Sequence, residues 1–545
     1  MADSLSEQVP PEEQPESESE AEVQPQDGAE NTQDSPSVAA AKSKKKKKKP
    51  KKSKLVSAIT GHKSPEAAES SKPAAKLPDD SLKTLLDMNP SLKGELSGLP
   101  PEKAHEMLKM MDMSQLLGGM SLNGKNQKDM ASHKFWGTQP VVRFDDKQDS
   151  DKPDGPIKEV IPELVPKTAA PLPEGYEWVE LDLTNEDEIR EVYKLLSLHY
   201  VEDDHAMFRF NYSAVFLDWA LKSPGWKKSW HIGVRAKGPN RLLVASIFGI
   251  PIKLRIRENI LDVVEINFMC VHKKLRSRRL APVLIKEVTR RCHLEGIYQA
   301  IYTGGVVLPT PVGSCRYFHR SLDWLKLYEV GFSPLPPNST PAKMIARNQL
   351  PPETSTPGWR LMEEKDIDPV LDLLSRYLSR FDLAQQFSRE EIEHWFYNRQ
   401  KPEDQVVWSF VVEQDGKITD FGSFYCLESS VIGDASKKHD KIRAAYLYYY
   451  ATEQAFNPKE KGLKERLLQV VQDLLIEAKK AKFDVFNALT LHDNPMFLEQ
   501  LKFGAGDGQL HHYLYNWRTK PINGGVNAKN MPDESKRGGI GIVLL

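Results

Sequence analysis

Between residues 265 and 288 the chain reads EINFMCVHKKLRSRRLAPVLIKEV, and five side chains, Lys273, Lys274, Arg276, Arg278 and Arg279, are cationic within a span of seven residues. An apolar run from Ile266 to Val271 precedes the cluster and an amphipathic run follows it, so the cations sit on a turn between a strand and a helix. Pro282 suits the first helical turn, where its missing N–H has no partner to lose. A turn of this kind is an anion site. Its cations neutralise a group such as pyrophosphate, and the helix behind it adds free N–H groups and the positive end of its dipole. The strand entering the turn then points at the other end of the ligand. If that strand bulges, the N–H groups of Phe268 and Met269 lose their ladder partners and can face a reacting carbonyl. An ordinary solvated basic loop has the same composition, and no G-x-G-x-x-G or Walker pattern accompanies this one. Cys270 follows the pair and suggests a covalent step, whereas its neighbours Phe268, Met269 and Val271 suggest a buried core thiol.

Periodicity predicts helices over 186–199, 216–226 up to Pro224-Gly225, and 281–294, with strands over 242–250, 261–271 and 298–309 around a charged hairpin at 253–258. Gly304-Gly305 marks a bend where backbone can approach a ligand. A second run repeats the plan: helices over 373–381 and 390–397, strands over 406–413, 418–427 and 444–452, a helix over 463–482, a strand over 483–491 and a helix over 496–504. Faint similarity between YEVGF (328–332) and LKFG (501–504) hints at duplicated halves. The chain closes on GGIGIVLL, an apolar terminus that should be buried as a strand and carry the carboxylate of Leu545 inside. The expected class is therefore α+β, with a mixed sheet.

The 545 residues carry a net charge of -1, which hides an uneven distribution. Residues 1–41 hold no Lys or Arg, Lys42–Lys54 is nearly all lysine, and large apolar residues are sparse before Phe135. Residues 1–130 are thus expected to be a disordered arm, with modest amphipathicity between Leu82 and Leu122. The lysine tract suits a polyanion such as ribosomal RNA, or simply solubilises the arm. Four cysteines without paired or metal-ligand spacing argue for a reducing compartment, no disulfide partner and no metal. No leader-like or membrane-length apolar run is read, so a cytoplasmic protein is expected.

The 265–288 stretch resembles the acyl-CoA-binding signature of the eukaryotic N-myristoyltransferases, the fungal ones in particular. KFWGTQPV (134–141), YVEDDHAMFRFNYS (200–213), YTGGVVLPTPV (302–312), KFDVFNALTLHDNP (482–495) and KFGAGDGQL (502–510) resemble the same family in the same order. The resemblance implies two halves of the GNAT acetyltransferase type related by a pseudo-twofold, here 131–345 with the acyl-CoA site and 346–545 with the peptide site. It implies a monomer with myristoyl-CoA as co-substrate and no permanently bound cofactor. Acyl-CoA contacts would come from Lys134, Phe135 and Trp136, from Phe268, Met269, Cys270 and Val271, and from Arg276, Ser277, Arg278, Arg279, Leu280 and Ala281. The peptide groove would include Val201, Asp203, Asp204, Phe208, Arg209, Phe210, Tyr212, Tyr317, His319, Ser429, Asn487, Asp507, Gly508 and Leu510. His205 stands where the family has a third acid.

Chemically, the resemblance implies direct aminolysis of a thioester by the amine of an N-terminal glycine, on peptides and nascent chains. Phe268 and Met269 would supply the oxyanion donors, Asn267 and Thr303 would surround the amine, and the Leu545 carboxylate would take its proton. An α-amino group has a pKa near ~8 and a free terminal carboxyl near ~3.5, a gap of ~6 kcal/mol against transfer in water that burial has to narrow. Two other readings remain: a GNAT-type transferase with another acyl donor or acceptor, and a non-enzymatic ribosome- or RNA-associated factor built on Lys42–Lys54.

Overall fold

The strand–turn–helix signal at 265–288 is realised at the centre of one large mixed sheet. The computed structural model describes residues 128–146, 153–201, 207–397, 404–432, 438–458 and 461–545. Of the expected arm only 128–130 are described, and there Asp129 caps a 3-10 turn at Met130–Ser132; Lys42–Lys54, the 82–122 segment and residues 202–206 lie outside the described residues. The strands are β1 (Tyr176–Glu180), β2 (Phe208–Asn211), β3 (His231–Ala236), β4 (Leu243–Ile256), β5 (Asn259–Val271), β6 (Ala300–Gly304), β7 (Gly313–Ser321), β8 (Trp359–Leu361), β9 (Leu383–Gln385), β10 (Val407–Gln414), β11 (Lys417–Val431), β12 (Lys441–Thr452), β13 (Val485–Leu489), β14 (Gly504–Tyr515) and β15 (Ile540–Gly541). They run in the order β1-β3-β4-β5-β6-β14-β7-β13-β12-β11-β10-β8, with β2 added on β11 and β9 joining β4 to β15.

Helices form where the apolar period is 3.6 and bury that face on the sheet. Leu284, Val288 and Cys292 of the Leu280–Leu294 helix meet Ile247 and Val264 of β4 and β5. The Leu463–Lys480 helix buries Leu467, Val471, Leu474, Leu475 and Ala478 and packs with the Ile367–Leu378 helix on β11 and β12. Each such leucine contributes roughly 2 kcal/mol when taken from water.

Three expectations are corrected. The charged hairpin is tighter than 253–258, because β4 continues to Ile256 and Arg257 turns the chain with φ 52°. The helix expected over 496–504 is replaced by a 3-10 turn at Asn494–Met496 and further turns. Phe497, Leu498, Leu501 and Phe503 are all buried there, which one helical stripe cannot achieve. The terminal strand is only two residues long, although Ile540, Ile542, Val543 and Leu544 are all buried.

That terminus is stitched in residue by residue. Ile540 and Gly541 pair in parallel with Leu383 and Ala384 of β9, and β9 pairs on its other edge with β4. Gly539 N–H donates to Asn523 O at 2.7 Å, and Val543 N–H to Tyr449 Oη at 2.9 Å. Thr490 Oγ1 fastens the Asn523–Gly524 turn by donating to Gly524 O at 2.6 Å. At Gly524 a Cβ would stand 1.8 Å from the backbone oxygen of Ser314, whereas at Gly155 it would meet nothing within 4 Å. Gly524→Ala should therefore lower stability by about 3 kcal/mol or more and Gly155→Ala by less than ~1 kcal/mol, read from urea unfolding midpoints; equal midpoints would show that the turn can move aside.

Candidate active site

β5 carries the site because its register breaks. Pairing with β4 steps from Ser246↔Cys270 to Phe248↔Asn267, so β5 spends one residue more than its partner and bulges at Phe268 and Met269. Phe268 takes φ 49°, a left-handed conformation that is costly for a bulky side chain. Its ring offsets the cost by full burial, edge-on to Tyr212 at 5.1 Å and near Tyr200 and Phe248. On the opposite edge, β5 and β6 share register only at Val264↔Ala300 and Glu265↔Ile301. Beyond Glu265 the two parallel strands part, and Phe268 and Met269 have no cross-strand partner in either neighbour. The expectation of an unpaired Phe268 amide needs one correction: its N–H donates to Asn267 Oδ1 at 2.8 Å.

Asn267 is the junction. Its Nδ2 donates to the Leu545 terminal oxygen at 2.5 Å and to Glu265 Oε1 at 3.1 Å. One side-chain amide thus touches two carboxyl groups and the bulge. Glu265 is buried, and burial lifts its carboxyl to about 7, against the opposing pull of Asn267 and the Leu545 N–H. Sequence reasoning missed Glu265, yet a lone acid inside the apolar run LDVVEINFMCV is a visible signal. Cys270 is a core thiol: it is buried beside Leu195 O, and burial pushes it up to about 12.

At the far end of β5 the basic turn is a 3-10 stretch, Lys273–Arg278, closed by Arg279 in the left-handed region with φ 56°, and the helix begins at Leu280 with Ala281 next. Lys273, Lys274, Arg278 and Arg279 are exposed. Arg276, also exposed, donates to His199 O at 2.6 Å, tying the turn to the end of the Glu186–His199 helix. His199 packs on His272 with centroids 3.9 Å apart; burial and then the charge of His272, Lys273 and Arg276 hold it down at about 4. Ser277 lies within the turn. Lys134 and Phe135 lead into a 3-10 turn in which Trp136 stacks on Tyr302 at 5.5 Å, and Tyr302 stacks on Tyr513 at 5.0 Å. Tyr513 Oη donates to Val306 O and accepts from Leu308 N–H, both at 2.8 Å, which fixes the bend after Gly304 and with it Thr303.

Of the expected groove residues, Phe208, Arg209, Phe210, Tyr317, His319, Ser429, Asn487, Asp507, Gly508 and Leu510 lie on β2, β7, β11, β13 and β14, which with β12 form a run of paired strands, and Val201 and Tyr212 lie outside the strands. Tyr317 and His319 lie on β7, and His319 Nδ1 is 2.7 Å from Asn487 Oδ1 on β13. Burial lowers His319, opposed by Asn487 and by the charge of Asp507. Gly506 to Gly508 spill from β14 where its pairing with β7 breaks between Ala505 and Gln509; pairing resumes with Gln509 opposite Arg316 and Leu510 opposite Cys315. Ser429 of β11 pairs with Phe210 of β2. Phe208 stands edge-on to Phe332 at 5.7 Å, Arg209 donates to Ser197 O at 3.1 Å, and Val201 is exposed. Asp203 and Asp204, like His205, are outside the described residues. Tyr446, opposite Asn487 and stacked on Tyr425 at 5.3 Å, was not read from the sequence, because only the register of β12 and β13 places it there.

Comparison with known proteins gives this geometry its context. The family description "Myristoyl-CoA:protein N-myristoyltransferase, N-terminal domain" matches residues 156–315, and its C-terminal counterpart matches 329–543. The chain is 62% identical over 476 residues to the glycylpeptide N-tetradecanoyltransferase of Ajellomyces capsulatus, covering 87% of this chain and 89% of that protein. It is 63% identical over 490 residues to that of Aspergillus fumigatus, covering 89% and 98%. A crystal structure of Saccharomyces cerevisiae N-myristoyltransferase with bound myristoyl-CoA superposes with a TM-score of 0.72 at 50% identity, covering 76% of this chain and 99% of that one. With its α+β sheet, the broken β5 register and these relatives in agreement, the chain belongs to the myristoyl-CoA:protein N-myristoyltransferase family, the glycylpeptide N-tetradecanoyltransferases.

Proposed function

We propose that the protein transfers myristate from myristoyl-CoA to the α-amino group of an N-terminal glycine by direct aminolysis, with no covalent acyl-enzyme. The observation that carries this reading is the Asn267 amide, which joins the Leu545 carboxylate and Glu265 at 2.5 and 3.1 Å immediately beside the bulge at Phe268 and Met269. The amine attacks the thioester carbon, the N–C bond forms as the C–S bond breaks, and the amine's proton passes to the carboxylate of Leu545. The leaving thiolate takes up a proton in turn. Phe268 and Met269 N–H groups stabilise the oxyanion, the former by exchanging its bond to Asn267 Oδ1 for one to substrate. Asn267 and Thr303 hold the amine. Glu265, lifted to about 7, lies close to the ~8 of an α-amino group, so a proton shared between the two carboxyl groups lowers the cost of transfer well below the ~6 kcal/mol expected in water.

The cationic turn with Arg276, Arg278 and Arg279 holds the phosphates of CoA, and Trp136 borders the same site. A fourteen-carbon chain gains roughly 10 kcal/mol gross when its methylenes leave water. The peptide lies across β14, β7, β13 and β11, and the halves meet near residue 345. A cytoplasmic monomer with the Lys42–Lys54 tract on ribosomal RNA, beside nascent chains, is the setting that the charge pattern favours; among the described residues no helix is long and apolar enough to cross a membrane.

With radiolabelled myristoyl-CoA, a glycine-starting peptide should be acylated and an alanine-starting one not, and acetyl-CoA should be a poor donor; preference for acetyl-CoA would favour a short-chain acyltransferase instead. Appending two residues after Leu545 should cut turnover about a hundredfold or more while acyl-CoA binding is spared. Unchanged turnover would remove the terminal carboxylate from the mechanism.

The raised Glu265 carboxyl also makes stability depend on pH. The native chain holds this proton more tightly than the unfolded chain, so the contribution is full below about 4.5 and is lost as pH rises through about 7. Glu265→Gln should therefore gain stability relative to the parent as pH is raised from about 5 to about 8, by on the order of 3 kcal/mol. Calorimetric Tm curves that stay parallel across that range would show that Glu265 titrates normally.

A further inference from the structure

A buried ionic cluster away from the β5 bulge lies beside the strand pairing that anchors the last residues of the chain. Asp493 is fully buried at the turn after β13. Its Oδ2 accepts from Tyr377 Oη at 2.6 Å and from Arg380 Nη1 at 2.7 Å, and its Oδ1 lies 3.7 Å from Arg537 Nε. The two arginines occupy matching places. Arg380 stands three residues before Leu383 of β9, and Arg537 three residues before Ile540 of β15. Those two residues are partners in the parallel pairing that anchors the tail. The preceding residue, His492, takes φ 53° and donates its N–H to Ile540 O at 2.9 Å, so the same turn grips the tail by its backbone. Arg380 also lies over the Tyr377 ring at 4.7 Å, which fixes the guanidinium from a second side.

We propose that Asp493 is a positioning residue for the acyl transfer: through Arg380 it aligns the segment entering β9, through Arg537 the segment entering β15, and so sets where the Leu545 carboxylate stands against Asn267. Two segments 157 positions apart in sequence are brought into register by one carboxylate. A two-residue pairing such as β9–β15 is too short to hold register alone, since parallel strands this brief contribute few hydrogen bonds. Without the cluster the strap frays from its free end, and the carboxylate moves out of reach of the amine.

The proposal rests on the reading of Leu545 as the base, and its test separates the two. The full-length enzyme is compared with Arg537→Gln and Asp493→Asn. Because Asp493 is buried and its variant can fail to fold, Arg537→Gln, at a side chain that is one-third exposed, carries the test. Two readouts are taken: release of Leu545 by a carboxypeptidase, and kcat for a glycine peptide beside the Kd for myristoyl-CoA. Arg537→Gln should release Leu545 about tenfold faster and lower kcat about tenfold or more, with Kd within about twofold. Arg537→Lys, which keeps the charge, should restore part of both. A merely structural role would lower Tm and the active fraction without speeding release. If Arg537→Gln protects its terminus and turns over as the parent does, the proposal is overturned, and it is overturned alone when the two-residue extension still abolishes turnover. If the extension leaves turnover intact, the base reading falls, and release of Leu545 decides the latch: faster release supports it and unchanged release overturns it.

Discussion

The side-chain amide of Asn267 is the interaction on which the rest depends. An amide has one acceptor oxygen and two donor hydrogens, and all are committed within one residue of the break in β5: the oxygen to Phe268 N–H, the nitrogen to Leu545 and to Glu265. This commitment fixes the orientation of the amide and converts a local irregularity of one strand into contact with the other end of the chain. The irregularity itself is held by packing. A phenylalanine at φ 49° is tolerated because its ring fills a buried aromatic cluster with Tyr200, Tyr212 and Phe248, so the strain is met where apolar area is abundant and the polar backbone is released where the proposed reaction needs it.

Two carboxyl groups sharing one donor in a buried place would repel each other if both were ionised. The cluster resolves this by leaving Glu265, among the described residues, without an ion-pair partner and near Tyr425, Tyr448 and Tyr449, so that burial rather than a counter-charge sets its affinity for a proton. Contrast Asp420, also buried, which Arg466 grips with two hydrogen bonds, and Asp366, which Arg360 grips in the same way. Each of those acids is tied to a guanidinium by charge-assisted hydrogen bonds. Asp473, buried as well, is held in a third way, by the backbone N–H groups of Ser355 and Thr356.

Much of this was legible in the chain. The basic turn, the strand before it and the helix after it have local signals, because charge density, an apolar run and Pro282 each speak for themselves. The burial of the terminus followed from its composition. What local signals did not carry was register. The aromatic ladder Trp136–Tyr302–Tyr513 and the place of Tyr446 exist only because β6 pairs with β14 and β12 with β13, and no window of sequence contains both members. The helix expected over 496–504 failed for a related reason: tertiary packing buries Phe497, Leu498, Leu501 and Phe503 together, a set that no single helical stripe contains. Glu265 was the one legible residue that went unread.

The base of the proposed mechanism is a group at a chain end, which poses a problem that a side chain does not. A glutamate is fixed by a few torsions on an anchored backbone, whereas a terminal carboxylate is free to fray with the last residues that carry it. The fold answers by making the tail part of the sheet system at three depths: backbone pairing of Ile540 and Gly541 on β9, a single bond from Val543 N–H to Tyr449 Oη, and the Asn267 amide at the carboxylate itself. Each contact lies closer to the reacting atoms and leaves fewer residues unconstrained. Since β9 is also paired with β4, the partner of the bulged strand, the strap is measured against the same element that offers the amides of Phe268 and Met269. In the proposed mechanism, base and oxyanion donors are thereby referred to one backbone, which is how a terminus can hold the close placement that proton transfer demands.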